Sequence, residues 1–249
     1  MTLGGRHALV TGGGQGIGAA VARALTTAGA RVTVLGRHAE TLEAVVAAGT
    51  AAAYVVADVT DATALPSAMA ELAPVDILVN NAGAAESAPF VRTTSELWAR
   101  MLAVNLTGVF VATQAVLPGM LARRWGRVVT IASTAGLTGY PYVSAYAAAK
   151  HGAIGLTRAL AREIAASGVT VNAVCPGYTQ TALIETSIAR IAARGARSTE
   201  SIRAEFTRAS PQGRLVQPEE VAAAVLYFCG PGSDAVTGVS LPVAGGEVQ

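Results

Sequence analysis

With 249 residues, the chain is long enough for one large α/β domain or two small ones. Hydrophobic residues make up 52% of it and charged residues 14%, which suits a well-buried globular protein. The net charge of +2 is too small and scattered to mark a nucleic-acid partner. No apolar run reaches the roughly 20 residues of a membrane span, and the two cysteines, Cys175 and Cys229, are too few for a disulfide framework. The first ten residues lack the long apolar region of a signal peptide and lead straight into a strand, so a cytoplasmic protein with no membrane partner is expected.

In chain order, short β-branched runs alternate with longer alanine-rich segments. Strands are predicted at 8–11, 31–35, 53–57, 77–80, 126–131, 170–174 and 239–243. Helices are predicted near 16–29, 39–48, 62–72, 95–102, 106–123, 144–166 and 218–229. Apolar strands spaced by helices imply a parallel sheet covered on both faces. No linker or repeat divides the chain, so one domain over 1–249 is expected.

The first strand ends in Thr11-Gly12-Gly13-Gly14-Gln15-Gly16-Ile17-Gly18. Its glycines fall in the spacing G-x-x-x-G-x-G, ahead of an amphipathic helix. Residues without side chains let the backbone approach a pyrophosphate, and a helix N-terminus offers it free N–H groups. Structural punctuation is the alternative. The second strand ends Val34-Leu35-Gly36-Arg37-His38, with no carboxylate for ribose hydroxyls. Arg37 can instead pair with a 2′-phosphate, which predicts NADP(H) over NAD(H). Alternatively, Arg37 starts the next helix or stacks on the adenine.

Further on, Ser133 stands thirteen residues before Tyr146, and Lys150 four after it. On a helix the phenol and the ammonium share a face. A neighbouring cation favours the phenolate, so Lys150 is expected to lower the Tyr146 pKa and fit it for proton transfer near neutral pH. Alone, this spacing also describes many solvated helix faces. Between Pro176 and Pro218 there is no clear strand, only weak helical patterns around 181–193 and 199–208. The stretch carries Arg190, Arg194, Arg197, Arg203 and Arg208 against Glu185, Glu200 and Glu205. It is a functional insertion or a solvated excursion.

Together these motifs resemble the short-chain dehydrogenases/reductases over nearly the whole length. The markers come in order: Thr11-Gly12-x-x-x-Gly16-x-Gly18, Asp58-Val59, Asn80-Asn81-Ala82-Gly83, Asn105, Ser133, Tyr146-x-x-x-Lys150, and Pro176-Gly177-x-x-x-Thr181. The resemblance implies a Rossmann-type doubly wound sheet of seven parallel strands in the order 3-2-1-4-5-6-7, with a helical lid at 181–210 and assembly as a homotetramer. It implies catalysis by Asn105, Ser133, Tyr146 and Lys150, without a metal. It also implies a cofactor site drawing on Thr11, Gly12, Gly14, Gln15, Gly16, Ile17, Gly18, Arg37, Asp58, Val59, Asn81, Ala82, Gly83, Tyr146, Lys150, Pro176, Gly177, Thr179 and Thr181. Asn105 would anchor a water leading from Lys150 to solvent. The usual Asp-Gly-Gly near the family's C-terminus is Ala244-Gly245-Gly246 here.

For the substrate, Ala135, Leu137, Tyr140, Tyr142, Tyr178 and Leu183 are the expected pocket wall, and they favour a partly apolar carbonyl compound. Closing the core or a subunit contact is the alternative. The chain is most similar to the branch of 3-oxoacyl thioester reductases, 3-hydroxyacyl-CoA dehydrogenases and aromatic polyketide ketoreductases. The insertion's arginines, with Arg123, Arg124 and Arg127, could then meet CoA or an acidic carrier protein. A broad carbonyl reductase for small ketones and a non-catalytic NADP-binding regulator are the other readings.

Overall fold

A computed structural model describes residues 2–193, 195, 198–208 and 210–248, without the side chains of Leu183 and Arg190. Seven parallel strands form one sheet in the order β3-β2-β1-β4-β5-β6-β7. They are β1 (His7–Thr11), β2 (Arg31–Gly36), β3 (Ala53–Val56), β4 (Ile77–Asn80), β5 (Gly126–Ile131), β6 (Val169–Pro176) and β7 (Ser240–Val243). β1, β4, β5 and β6 are buried along their whole length. Burial on both faces is why these strands read as continuous apolar runs and not as alternating ones.

Helices α1 (Gly16–Thr27), α2 (Ala39–Ala47) and α9 (Pro218–Cys229) cover one face. Val21, Leu25, Leu42, Val221, Val225 and Phe228 pack there against Val10, Val32, Val34 and Val79. On the other face lie α3 (Ala64–Ala70), α4 (Ser95–Leu102), α5 (Gly108–Arg123) and α6 (Ser144–Glu163). Leu65, Met69, Val111, Val116, Met120 and Ala161 meet Leu9, Leu78 and Val128 across that second layer. Fully burying one such aliphatic side chain is worth about 1.5–3 kcal/mol, so the two apolar layers are the principal force holding the strands in order.

Several boundaries differ from expectation by a few residues. The sixth strand runs two residues further, to Pro176, and the third helix is shorter than 62–72. More consequentially, the predicted break before residue 106 does not exist: α4 and α5 are joined by a wide π-type turn over Ala103–Thr107. The resulting helical run, Ser95–Arg123, is 29 residues long and apolar enough to cross a membrane by length and composition. That corrects the expectation that no stretch reaches spanning length. Here 44% of its apolar window is buried inside the fold.

The insertion contains α7 (Ala182–Ala192) and α8 (Thr199–Arg208), near the predicted positions. Arg203 on α8 reaches Glu185 on α7 at 2.6 Å and joins the pair. Arg194 and Arg197 lie outside the described residues.

Candidate active site

All strands point the same way, so the loops after β1, β4, β5 and β6 open on one edge of the sheet. Between β1 and β4, where the strand order reverses, lies the crevice in which such sheets bind ligands. Gly12 and Gly16 both adopt positive φ, +63° and +54°. A Cβ on Gly12 would lie 2.9 Å from the Ala82 Cα, and one on Gly18 2.5 Å from the Asn81 Nδ2. Close packing between the turn, α1 and β4 therefore requires glycine at both. Gly14, Gln15 and Ile17 complete the turn at the crevice edge, none fully buried.

The turn is braced from β4. The Asn81 side chain donates to the carbonyls of Thr11 and Gly12, each at 3.0 Å, and Thr11 Oγ1 accepts from the N–H groups of Asn81 (3.0 Å) and Ala82 (3.1 Å). Thr11 and Asn81 thus spend their side chains holding the turn's shape. Helix α1 starts with no side-chain cap and no acidic residue in its first turn. Its free N–H groups and positive end fit an anionic pyrophosphate, so these residues are suited to a dinucleotide.

Arg37, at the end of β2, lies 3.8 Å from the Asp58 Oδ2 and is two-thirds exposed. The other Asp58 oxygen accepts from the Thr60 N–H (2.9 Å) and hydroxyl (2.8 Å). Val59 is buried against Gly108. Across the crevice, Thr181 Cγ2 lies 3.2 Å from where a Gly16 Cβ would stand. Thr181 donates to the Thr179 carbonyl (3.3 Å), and Thr179 to the Gly177 carbonyl (3.0 Å). The loop following Pro176 thereby lies against the glycine turn.

Ser133, Tyr146, Lys150 and Asn105 converge next to this crevice. Ser133 follows β5 in extended backbone, and its Oγ accepts from the Ala135 N–H at 3.1 Å. The Tyr146 hydroxyl faces the Ser133 side chain, whose polar influence favours the phenolate. Lys150 is buried, donates to the Ile131 carbonyl at 2.8 Å, and sits 5.7 Å from the centre of the Tyr146 ring. Asn105 is fully buried in the π-type turn. Its amide donates to the carbonyls of Ala84 (2.9 Å) and Met101 (3.0 Å), and its oxygen accepts from the Ala84 N–H (3.3 Å). Gly83 is wedged beside it: a Cβ there would lie 2.9 Å from Asn105 Oδ1 and 3.7 Å from Lys150 Nζ. A single-turn π bulge at a functional position is a recurrent device, and this one turns Asn105 inward.

The electrostatics correct one expectation. The Tyr146 pKa is raised, first by burial, with the Ser133 hydrogen bond opposing it. Tyr146 keeps some solvent access overall, but desolvation of the phenolate outweighs local help. Burial likewise disfavours the Lys150 ammonium and brings its pKa down to about 8. The protein by itself thus holds Tyr146 as a proton donor. Cys175 lies against Ser133 and Lys150, and burial pushes its pKa up to about 11. It is an inert thiol.

The expected pocket wall divides. Ala135 is buried, and Leu137 packs on the small cluster of Ala132, Ile154, Ala173 and Cys175 beneath the site. Tyr140 and Tyr178 meet edge to face, with centroids 6.5 Å apart. Tyr142 is 65% exposed at the rim in left-handed backbone, φ +68°, and its carbonyl accepts from the Ala88 N–H at 2.8 Å. The Leu183 side chain lies outside the described residues. Arg123, Arg124 and Arg127 correct a further expectation: they flank the start of β5, at the opposite edge of the sheet. Arg123 pairs with Asp76 at 3.4 Å, Arg124 donates to the Ala166 carbonyl, and Arg127 is buried beside Asp234. None can meet a substrate in the crevice.

The short chain dehydrogenase family profile matches residues 6–191. The chain is 43% identical to a Streptomyces coelicolor protein named a ketoacyl reductase, covering 96% of this chain and 95% of that one. It is 39% identical to an acetoacetyl-CoA reductase of Rhizobium meliloti, covering 97% and 98%. Among solved structures it resembles an actinorhodin polyketide ketoreductase variant determined with NADPH, at a TM-score of 0.92 and 41% identity over 97% of each chain. Fold, motif order and relatives agree: the chain belongs to the short-chain dehydrogenases, oxidoreductases that act on CH–OH groups with a nicotinamide cofactor.

Proposed function

We propose that the protein reduces the ketone of a partly apolar 3-oxoacyl thioester to the secondary alcohol, with NADPH as its preferred cofactor. The observation that carries the reading is the convergence of Tyr146, Ser133 and buried Lys150 beside an uncapped helix N-terminus. When bound, the nicotinamide supplies the hydride, and its oxidised ring a positive charge. Ser133 donates to the substrate oxygen and stabilises charge developing there. Tyr146 gives its proton to that oxygen, and its raised pKa suits it to act as an acid. Lys150 holds the nicotinamide ribose and balances charge on the phenol. Asn105 fixes the Ala84 segment and with it one wall of the site.

The thioester assignment draws on relatives named ketoacyl reductase and acetoacetyl-CoA reductase, and on the aromatic pair Tyr140 and Tyr178. It is tested by comparing kcat/KM for a 3-oxoacyl-CoA and its free ester. A clear advantage for the thioester is expected, and equal efficiencies would remove this substrate class.

The preference for NADPH rests on Arg37. Its pair with Asp58 is long and solvent-exposed, a type of contact worth about 0–1 kcal/mol, so a phosphate can displace it. Arg37→Asp is expected to shift the NADPH-to-NADH ratio of kcat/KM by about tenfold or more towards NADH. An unchanged ratio would take the phosphate away from Arg37.

Assembly as a homotetramer belongs to the same reading. Trp98 on α4, Phe110 on α5 and Tyr227 on α9 are 42%, 46% and 49% exposed, more aromatic surface than helix faces in water need. Sedimentation of a micromolar solution is expected to give the tetramer mass. A monomer would end the assignment.

A further inference from the structure

The C-terminal turn closes a connection between the site and the insertion that none of the motifs announces. Gly245 and Gly246 adopt positive φ, +60° and +92°, and the Glu247 N–H donates to the Ala244 carbonyl at 3.2 Å. Positive φ at both central residues is the pattern of a type I′ turn, and it reverses the chain directly after β7. Glu247 returns onto the end of β6: a Cβ on Gly177 would stand 2.7 Å from Glu247 Oε2. The other carboxylate oxygen accepts a hydrogen bond from the Tyr140 hydroxyl, contributed by the segment between β5 and α6. Tyr140 then meets Tyr178 edge to face, and Tyr178 meets Phe206 of α8 at 4.7 Å. The turn itself lies against the exit of α8, since Cβ atoms on Gly245 and Gly246 would press on Ser210 and Pro211.

We infer that Glu247 is a positioning residue for the substrate wall: its carboxylate holds the Tyr140 hydroxyl and, through Tyr178 and Phe206, seats α8 beside the cleft. The chemistry supports this direction of action. Glu247 is half-buried, and a phenol donating to a carboxylate makes a charge-assisted bond. The carboxylate also raises the pKa values of Tyr140 and Tyr178, after burial, and so keeps both phenols neutral. The edge-to-face ring contacts extend the hold to the insertion. Glu247 touches no residue of the Ser133, Tyr146 and Lys150 group in this arrangement, so its influence falls on substrate seating. The inference rests on the proposed function for the identity of the cleft's occupant.

The test uses the full-length protein and four variants: Glu247→Ala, Glu247→Gln, Tyr140→Phe, and the combination of Glu247→Ala with Tyr140→Phe. Glu247→Ala is expected to raise KM for the carbonyl substrate about tenfold, the scale of one lost charge-assisted hydrogen bond. Its kcat and NADPH affinity should stay within about twofold, since no transition-state contact is removed. Glu247→Gln retains an acceptor oxygen and should restore most of the lost KM. The combined variant should be no worse than either single one, because both remove the same bond. Hydrogen exchange over residues 199–208 should quicken in Glu247→Ala and recover in Glu247→Gln. Unchanged KM and exchange in Glu247→Ala, or additive effects in the combined variant, would overturn the inference. Should the wild type reduce no ketone at all, the functional reading falls, while hydrogen exchange still decides the tether.

Discussion

Tyr146→Phe is expected to lose at least about 100-fold in turnover, the ordinary contribution of a positioned general acid, while still binding NADPH. The substitution removes one oxygen and leaves the ring, which packs beside Leu97, Met101 and Ala145 on the inner face of α6. Fold and cofactor cradle should therefore survive. What is lost is the phenol facing Ser133, and with it the proton for the substrate oxygen. Steady-state kinetics with a ketone, paired with fluorescence titration of NADPH, separates the two effects. Normal turnover would assign proton transfer to another group. Because the wild-type phenol is held protonated, its reduction rate should not fall as pH rises from 6 to 7 on account of Tyr146.

Lys150→Met should move activity and stability in opposite directions. Burial brings the folded-state pKa of Lys150 from 10.5 to about 8. A lysine lowered on folding penalises the folded state wherever the unfolded chain holds the proton more firmly. The penalty is therefore fully present below pH 8 and fades as pH rises from 8 towards 10.5. At pH 7 it amounts to roughly 3 kcal/mol, from which the lost hydrogen bond to Ile131 takes back about 1. Lys150→Met is thus expected to gain about 2 kcal/mol in stability at pH 7, an advantage that shrinks near pH 10. Turnover and NADPH affinity should both drop, because no cation remains beside the ribose and the phenol. Chemical unfolding at the two pH values reads the first effect and kinetics the second. Equal stability at pH 7 would mean that the ammonium is better solvated than its burial implies. In the wild type, kcat/KM for reduction should fall as pH rises through 8, when Lys150 loses its charge.

Much of the architecture was legible because parallel strands buried on both faces leave unbroken apolar runs such as 77–80 and 126–131, punctuated by glycines that only a tight turn explains. The same logic located the cofactor loop, since the spacing of Gly12, Gly16 and Gly18 reports backbone geometry directly. Asn105 was found by resemblance, yet its setting was not foreseen. A π bulge follows from a side chain bonding Met101 and Ala84 at once, and Ala84 is far away in sequence. Arg123, Arg124 and Arg127 looked available only because their partners, Asp76, Ala166 and Asp234, are supplied by distant segments.

The sequence by itself determined the parallel sheet and the phosphate turn, because each is written in local spacing that a single strand or helix enforces. Tertiary structure alone decided that burial raises the Tyr146 pKa and lowers that of Lys150, and that Glu247 reaches Tyr140. Those outcomes depend on desolvation and on contacts between segments as many as 107 residues apart, and neither quantity exists until the chain has folded.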